Sequence, residues 1–388
     1  MAATEIGTRH GMRRNVNSTT TVNNTKITTK EKRDNDEAEE GEEQLSYTLC
    51  DSQVHAGCRE RFLLTGYRSE NMPPSACLKT MFKRECNETL NIWTHLVPFF
   101  LFLLKFGVMF TTVHPLTDPF YWPLASNAVG ILGFCITSSM AHTFCALSPG
   151  ARYVCFYMDY AIINVYSGSG WQAFFFYGRP VSSPDNVGIF TVENVQLMAL
   201  VCFKISIIST FQCCCSRHVK NVFEHLMRVS SFVVPWLCAA FPYLYRLHTC
   251  MPSESPDCHT ESFTPFAVHT VLYVVGALAL ASKLPERFWP GAFDFVGHSH
   301  QVMHICVAAG AYFQFESIRM EMIRQEDVLR GTKINQLYSI YNLPLTVVTF
   351  VANVVIALYF PLVRPYLFKE EDATMEDIKD EGEKTKVL

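Results

Sequence analysis

The chain has 388 residues, 49% of them hydrophobic and 13% aromatic, with a formal net charge of -4. That balance offers no basic surface for nucleic acid, and the gathering of apolar residues into blocks indicates a polytopic membrane protein rather than a large soluble enzyme. The 15 cysteines fall mostly inside those blocks, where they behave as small apolar side chains rather than as a disulfide framework.

Residues 1–45 contain no apolar run. A Thr/Asn-rich start followed by an acidic stretch at 34–43 predicts a disordered polar tail, without signal peptide or membrane helix. Residues 46–95 are mixed and aromatic, carrying Gly66-Tyr67-Arg68 and Phe82-Lys83-Arg84, and predict a cytoplasmic cap or interfacial segment. Apolar segments able to cross a ~30 Å hydrocarbon core follow at 96–113, 123–147, 154–177, 195–215, 229–247, 265–281, 296–315 and 343–362. The expected fold is thus an all-α polytopic membrane protein. A seven-helix transmembrane core spans 96–315, a charged loop 316–342, an eighth C-terminal transmembrane helix 343–362, and a charged cytoplasmic tail 363–388.

Within these segments, Cys213-Cys214-Cys215 ends an apolar run beside basic residues, which fits either S-acylation or a plain membrane-edge role. Cys250 and Cys258 share one polar loop and could pair there if it is extracytoplasmic. Lys105 and Lys204 interrupt segments one and four near mid-membrane, where an ammonium requires pairing or snorkelling. Trp93 and His95 fall where anchoring at the interface is expected, and the aromatic stretch 171–177 suits helix packing or the wall of a ligand cavity.

Basic residues set the expected orientation. Lys79, Lys83 and Arg84 precede segment one, and Arg152, then Arg217, Lys220 and Arg228, then Lys283 and Arg287, occupy alternate connections. This bias places both termini in the cytoplasm and leaves the sequons at Asn17, Asn23 and Asn87 unglycosylated. One connection disagrees, since Arg319, Arg324, Arg330 and Lys333 lie between segments seven and eight among acidic residues.

The strongest chemical signal is Gly297-His298-Ser299-His300-Gln301-Val302-Met303-His304. Ionisable side chains are costly inside a spanning helix, and His300 and His304 stand one turn (~6 Å of rise) apart on one face, as two ligands of one metal would. With the expected orientation, His142 near the end of segment two and Asp159 in the first turns of segment three reach the same depth. Three histidines and a water form a catalytic-type zinc set. Asp159 could hold or deprotonate the water, and Ser138, on the His142 face, could position either. The plainer alternative is a set of polar groups that hydrogen-bond helices together. Asp294 and His298 are four apart and suggest a pair or gate beside the site.

At these residues the sequence resembles the progestin and adiponectin receptor family over about 66–315. The matching stretches are Gly66-Tyr67-Arg68, Asn87 through Leu96, Ser138 through His142-Thr143-Phe144, Asp159-Tyr160 and Phe293 through His304. Leu284-Pro285-Glu286-Arg287 with Pro290-Gly291 resembles most its membrane progestin receptor branch, of gamma-like type. Cys86 stands where many relatives have His. The resemblance implies an amino terminus inside and a Zn2+ ion on His142, His300 and His304, with Asp159 near the zinc water.

The resemblance also implies a plasma-membrane receptor for a steroid (progestin) ligand, associated with G proteins. The Ser-x3-His, Asp, His-x3-His pattern is likewise similar to alkaline ceramidases. The second expectation is therefore a zinc-dependent intramembrane amidase acting on a membrane lipid, with Asp159 as base and Ser138 in support. A scaffold with a purely structural zinc is the third.

Overall fold

The computed structural model describes residues 48–180, 186–187, 190–219, 222–250 and 261–367. The expected tail at 1–45, the Cys250–Cys258 pairing and the residues from 368 onward lie outside the described residues.

The helices are α1 (Pro74–Thr80), α2 (Thr89–Met109), α3 (Trp122–Phe144), α4 (Pro149–Gly178), α5 (Val192–Ser216), α6 (Val222–Cys250), α7 (Phe263–Ser282), α8 (Ser299–Arg330) and α9 (Lys333–Leu367). A two-residue hairpin, β1 (Asn186–Val187) with β2 (Phe190–Thr191), precedes α5. Local chemistry fixes several starts. Ser148 accepts from the Ala151 amide with Pro149 in the first turn of α4, and Thr191 accepts from the Asn194 amide at α5.

Among the described residues, six helices are long and apolar enough to cross a membrane: α2, α3, α5, α6, α7 and α9. Their outward faces carry exposed large side chains such as Leu104, Val129, Ile208, Leu278 and Leu362, so the surface is built for hydrocarbon. The protein is an all-α polytopic membrane protein. The expected segments at 154–177 and 296–315 are helical too, but α4 and α8 are more polar. The reason is position: α4 packs against α3, α5, α6, α8 and α9, and its side chains from Tyr166 to Gly178 are mostly buried. Enclosed by other helices, α4 can carry Asp159, Asn164 and Gln172 without showing them to lipid. Gly130 of α3 permits this closeness, because a Cβ there would stand 2.7 Å from the Ser169 hydroxyl and 3.0 Å from the Tyr166 Cα.

The stretch expected as a charged loop at 316–342 is instead helical, with α8 running to Arg330 and α9 starting at Lys333. Several of its charges are spent in ion pairs. Arg319 meets Glu316 at 2.8 Å, Arg330 meets Glu326 and Asp118 at 2.7 Å each, and Lys105 meets Glu316 at 2.5 Å. Lys105 therefore has its partner, also facing the Tyr312 ring. Deeper in the same half of the bundle, Arg246 pairs with Glu321 at 2.8 Å, both essentially inaccessible, and Ser262 and Gln325 also donate to Glu321.

At the other end, residues 48–88 fold over the helix starts as a cap. Arg68 is buried and donates to the carbonyls of His142 (2.7 Å) and Thr143 (2.9 Å) and to Thr80. Asp294 accepts from the Leu64 and Thr65 amides at 3.0 and 2.8 Å. Trp93, expected as an interface anchor, donates its indole N–H to the Met81 carbonyl of the cap at 2.7 Å. Asn87 is buried in this packing, which leaves no room for a glycan on its sequon.

Breaking the Arg246–Glu321 pair from one side removes the carboxylate that faces a buried guanidinium. Glu321→Gln should lower stability by about 3–5 kcal/mol, whereas exchanging both residues for apolar ones of similar volume should cost much less. Thermal unfolding of purified protein in detergent checks the difference.

Candidate metal centre

The helix starts at the capped end decide where the histidines stand. α8 begins after Gly297, whose φ of +87° suits only glycine without strain. Its first residue is held by Glu286, which accepts from the Ser299 amide at 2.7 Å and from the Ser299 hydroxyl. This outside carboxylate supplies the cap that His298, at the N-cap position, does not. His300 therefore sits in the first turn and His304 one turn deeper, on the same side of the helix. From α3, His142 meets them near its last turn.

The donor atoms of His142, His300 and His304 all lie within 4.8 Å of one another, with His142 and His304 buried and His300 partly so. The Nε2 atoms of His142 and His300 are 3.2 Å apart. A tetrahedral site with bonds of about 2.0–2.1 Å has edges of about 3.3 Å, so this spacing matches two ligands of one ion.

The far nitrogens of His142 and His304 are occupied. Nδ1 of His142 contacts Glu88 Oε2 at 2.7 Å. Nδ1 of His304 lies 3.2 Å from the Asn91 carbonyl and 3.0 Å from the Thr94 hydroxyl, which itself donates to the Leu90 carbonyl. A carbonyl only accepts, so Nδ1 of His304 carries the proton and Nε2 keeps its lone pair. A metal-binding histidine is normally fixed by this arrangement. Glu88 is placed to act as an anion: burial opposes its charge, but His142, Arg68 and Arg152 outweigh burial and hold the carboxyl well below the usual carboxylate range.

Several buried polar atoms in this layer, both ring nitrogens of His95 among them, have no hydrogen-bond partner among the described residues. Asp159 Oδ1 and Ser138 Oγ are buried without partners among the described residues. Orphaned buried polar atoms are expensive. They fit a centre at which a water or a substrate atom completes the hydrogen bonds.

Other expected site residues have different employment. Asp294 and His298 show no bond to one another among the described residues: the Asp294 carboxylate ties the cap through Leu64 and Thr65, while His298 is buried. His95 is not an interface anchor. It is buried and stacks on His304 with ring centroids 3.9 Å apart. The aromatic stretch 171–177 packs in the core of α4, where Phe174, Phe176 and Tyr177 are fully enclosed. Cys213, Cys214 and Cys215 are buried beside Tyr157 and Phe360, so the S-acylation reading finds no exposed thiol there. Lys204 is exposed on α5. Sequence reasoning missed Glu88, Asn91, Thr94 and Glu286. The only signal for the first three was their place in the Asn87-to-Leu96 stretch, since nothing in that order reveals which side chain reaches His142 or His304.

A polytopic helical bundle with a buried three-histidine centre beneath a cap defines a class of membrane protein. Residues 83–315 match the haemolysin-III-related family, and the chain belongs to that family, which holds the progestin and adiponectin receptors. Membrane progestin receptor gamma of Homo sapiens is 30% identical over 319 residues, covering 80% of this chain and 94% of that receptor. The gamma-A form of Danio rerio is 31% identical over 293 residues, covering 72% of this chain and 84% of its own length. Membrane progestin receptor delta of Homo sapiens is 31% identical over 275 residues, 70% and 78% of the two chains.

Removing the carboxylate behind His142 should loosen metal without removing a ligand. Glu88→Gln should weaken affinity about 10–100-fold, measured by competition with a chelator on purified protein, and His142→Ala should weaken it further still.

Proposed function

We propose that this protein is a plasma-membrane receptor for a steroid of the progestin class, with a zinc ion held by His142, His300 and His304, signalling to cytoplasmic partners such as G proteins. The observation that carries the reading is the three-imidazole cluster with its far-nitrogen partners, in a chain whose relatives are named membrane progestin receptors. The zinc ties α3 to α8 just under the cap. The steroid enters from the bilayer or the outer side, binds within the bundle and shifts the population of conformations at the cytoplasmic face.

The capped end faces the cytoplasm in this reading. Lys79, Lys83 and Arg84 flank the start of α2, and the first helix usually dominates orientation. Of the basic residues at the opposite end, which disagree with this bias, Arg319 and Arg330 are drawn into pairs with Glu316, Glu326 and Asp118.

A second reading, a zinc-dependent intramembrane lipid amidase, is favoured by one specific observation: the unpartnered Asp159 Oδ1 and Ser138 Oγ. The ion would supply a Lewis acid and an acidified water. Asp159 would take the water proton at Oδ1, and the Ser138 hydroxyl would orient that carboxylate or donate to the oxyanion.

Saturable binding of labelled progesterone to membranes should appear with the wild type and weaken with His300→Ala at matched surface expression; no saturable binding by folded, zinc-loaded protein would remove progesterone as ligand. Asp159→Asn separates the two readings. Steroid affinity should survive it, while ceramide hydrolysis, if the amidase reading holds, should fall about 10²–10⁴-fold.

A further inference from the structure

A second cluster lies at the capped end, where the start of α4, the end of α5, the start of α6 and the end of α9 carry arginines. The guanidinium groups of Arg152 and Arg217 lie over one ring, that of Phe156, at 5.2 and 3.9 Å from its centroid. Arg364 of α9 lies 5.0 Å over Tyr153, the residue next to Arg152. Arg228 stands in the early turns of α6, and the charges of Arg152, Arg217 and Arg228 all reach the same carboxylate, Glu60 of the cap. Four helix ends thus bring four guanidiniums toward one another.

Their counter-charges are largely engaged elsewhere. Glu60 contacts Lys283 at 3.5 Å, Glu88 contacts His142 at 2.7 Å, and Glu224 takes Arg228 at 3.0 Å. Among the described residues, neither Arg152 nor Arg217 has a carboxylate at ion-pair distance; Arg217 donates Nε to the Tyr160 hydroxyl at 2.9 Å. The Nε atoms of Arg152 and Arg228 are buried with no acceptor. Arg152 and Arg217 are partly buried, so among the described residues they are neither freely hydrated nor matched by a carboxylate.

The surroundings say what kind of anion fits. Phe223 and Leu226 beside Arg228, and Leu362 and Tyr366 beside Arg364, are exposed, which marks the lower edge of the hydrocarbon-facing belt. Cations at that level meet phosphate headgroups, and the planar fork of arginine suits phosphate oxygens. Basic pockets between membrane helices on the cytoplasmic side recognise such headgroups.

We propose that Arg152, Arg217, Arg228 and Arg364 form a binding site for the headgroup of an anionic phospholipid, whose acyl chains lie against the exposed apolar side chains of α6 and α9. The site is separate from the steroid reading and uses the proposed orientation only to choose the leaflet.

The test uses the full chain in phosphatidylcholine nanodiscs containing phosphatidylinositol 4-phosphate, with retained lipid read by native mass spectrometry after extraction. Wild type should retain the phosphoinositide. Arg152→Gln and Arg228→Gln should each reduce retention about fivefold, the equivalent of about 1 kcal/mol per cation. Arg152→Lys, which keeps the charge, should retain most of it and guards against a folding defect, and Arg319→Gln at the opposite end should leave it unchanged. Inorganic phosphate should not displace the lipid. Equal retention in wild type and both glutamine variants, equal loss in Arg319→Gln, or displacement by inorganic phosphate would overturn the assignment.

Discussion

Three imidazoles packed within 4.8 Å at the capped end of the bundle can coexist only if none is forced to hold a charge of its own. The far nitrogens solve part of that problem, with Glu88 behind His142 and the Asn91 carbonyl behind His304. Those partners sit at and just inside the start of α2, so α2, α3 and α8 must meet at one depth for the centre to exist. Much of the architecture at this end follows from that requirement. The cap holds α3 through Arg68 and the α8 approach through Asp294, while Glu286 fixes where α8 begins.

The two ends of the bundle handle charge in opposite ways. Away from the cap, acids and bases cancel in pairs, some exposed and one, Arg246–Glu321, fully enclosed. Near the cap, carboxylates are committed to histidine, to backbone amides and to Lys283, which leaves arginines with an excess of positive charge. α4 crosses between them carrying polar side chains that only a surrounding ring of helices makes tolerable.

Most of this was legible in the sequence where physics acts locally. Apolar runs located the spanning helices, and the four-residue spacing of His300 and His304 put both on one face. Charge bias and helix rise brought His142 to the same layer, where the cluster is found. What stayed hidden depended on contacts distant in sequence. Residues 316–342 read as a charged loop between apolar segments, and only the fold brings Asp118 and Lys105 to them. Asp294 and His298 suggested a pair by spacing, yet the cap amides claim the carboxylate. His95 looked interfacial because of its place at a helix start, whereas packing turns it onto His304.

Zinc K-edge X-ray absorption on the purified full-length protein tests the central claim most directly. The account predicts about one zinc per chain, with a shell of nitrogen and oxygen scatterers at about 2.0–2.1 Å, imidazole multiple scattering for three histidines and one further light-atom ligand. A sulfur shell at about 2.3 Å, or protein that is folded and stable with no metal near these histidines, would contradict it.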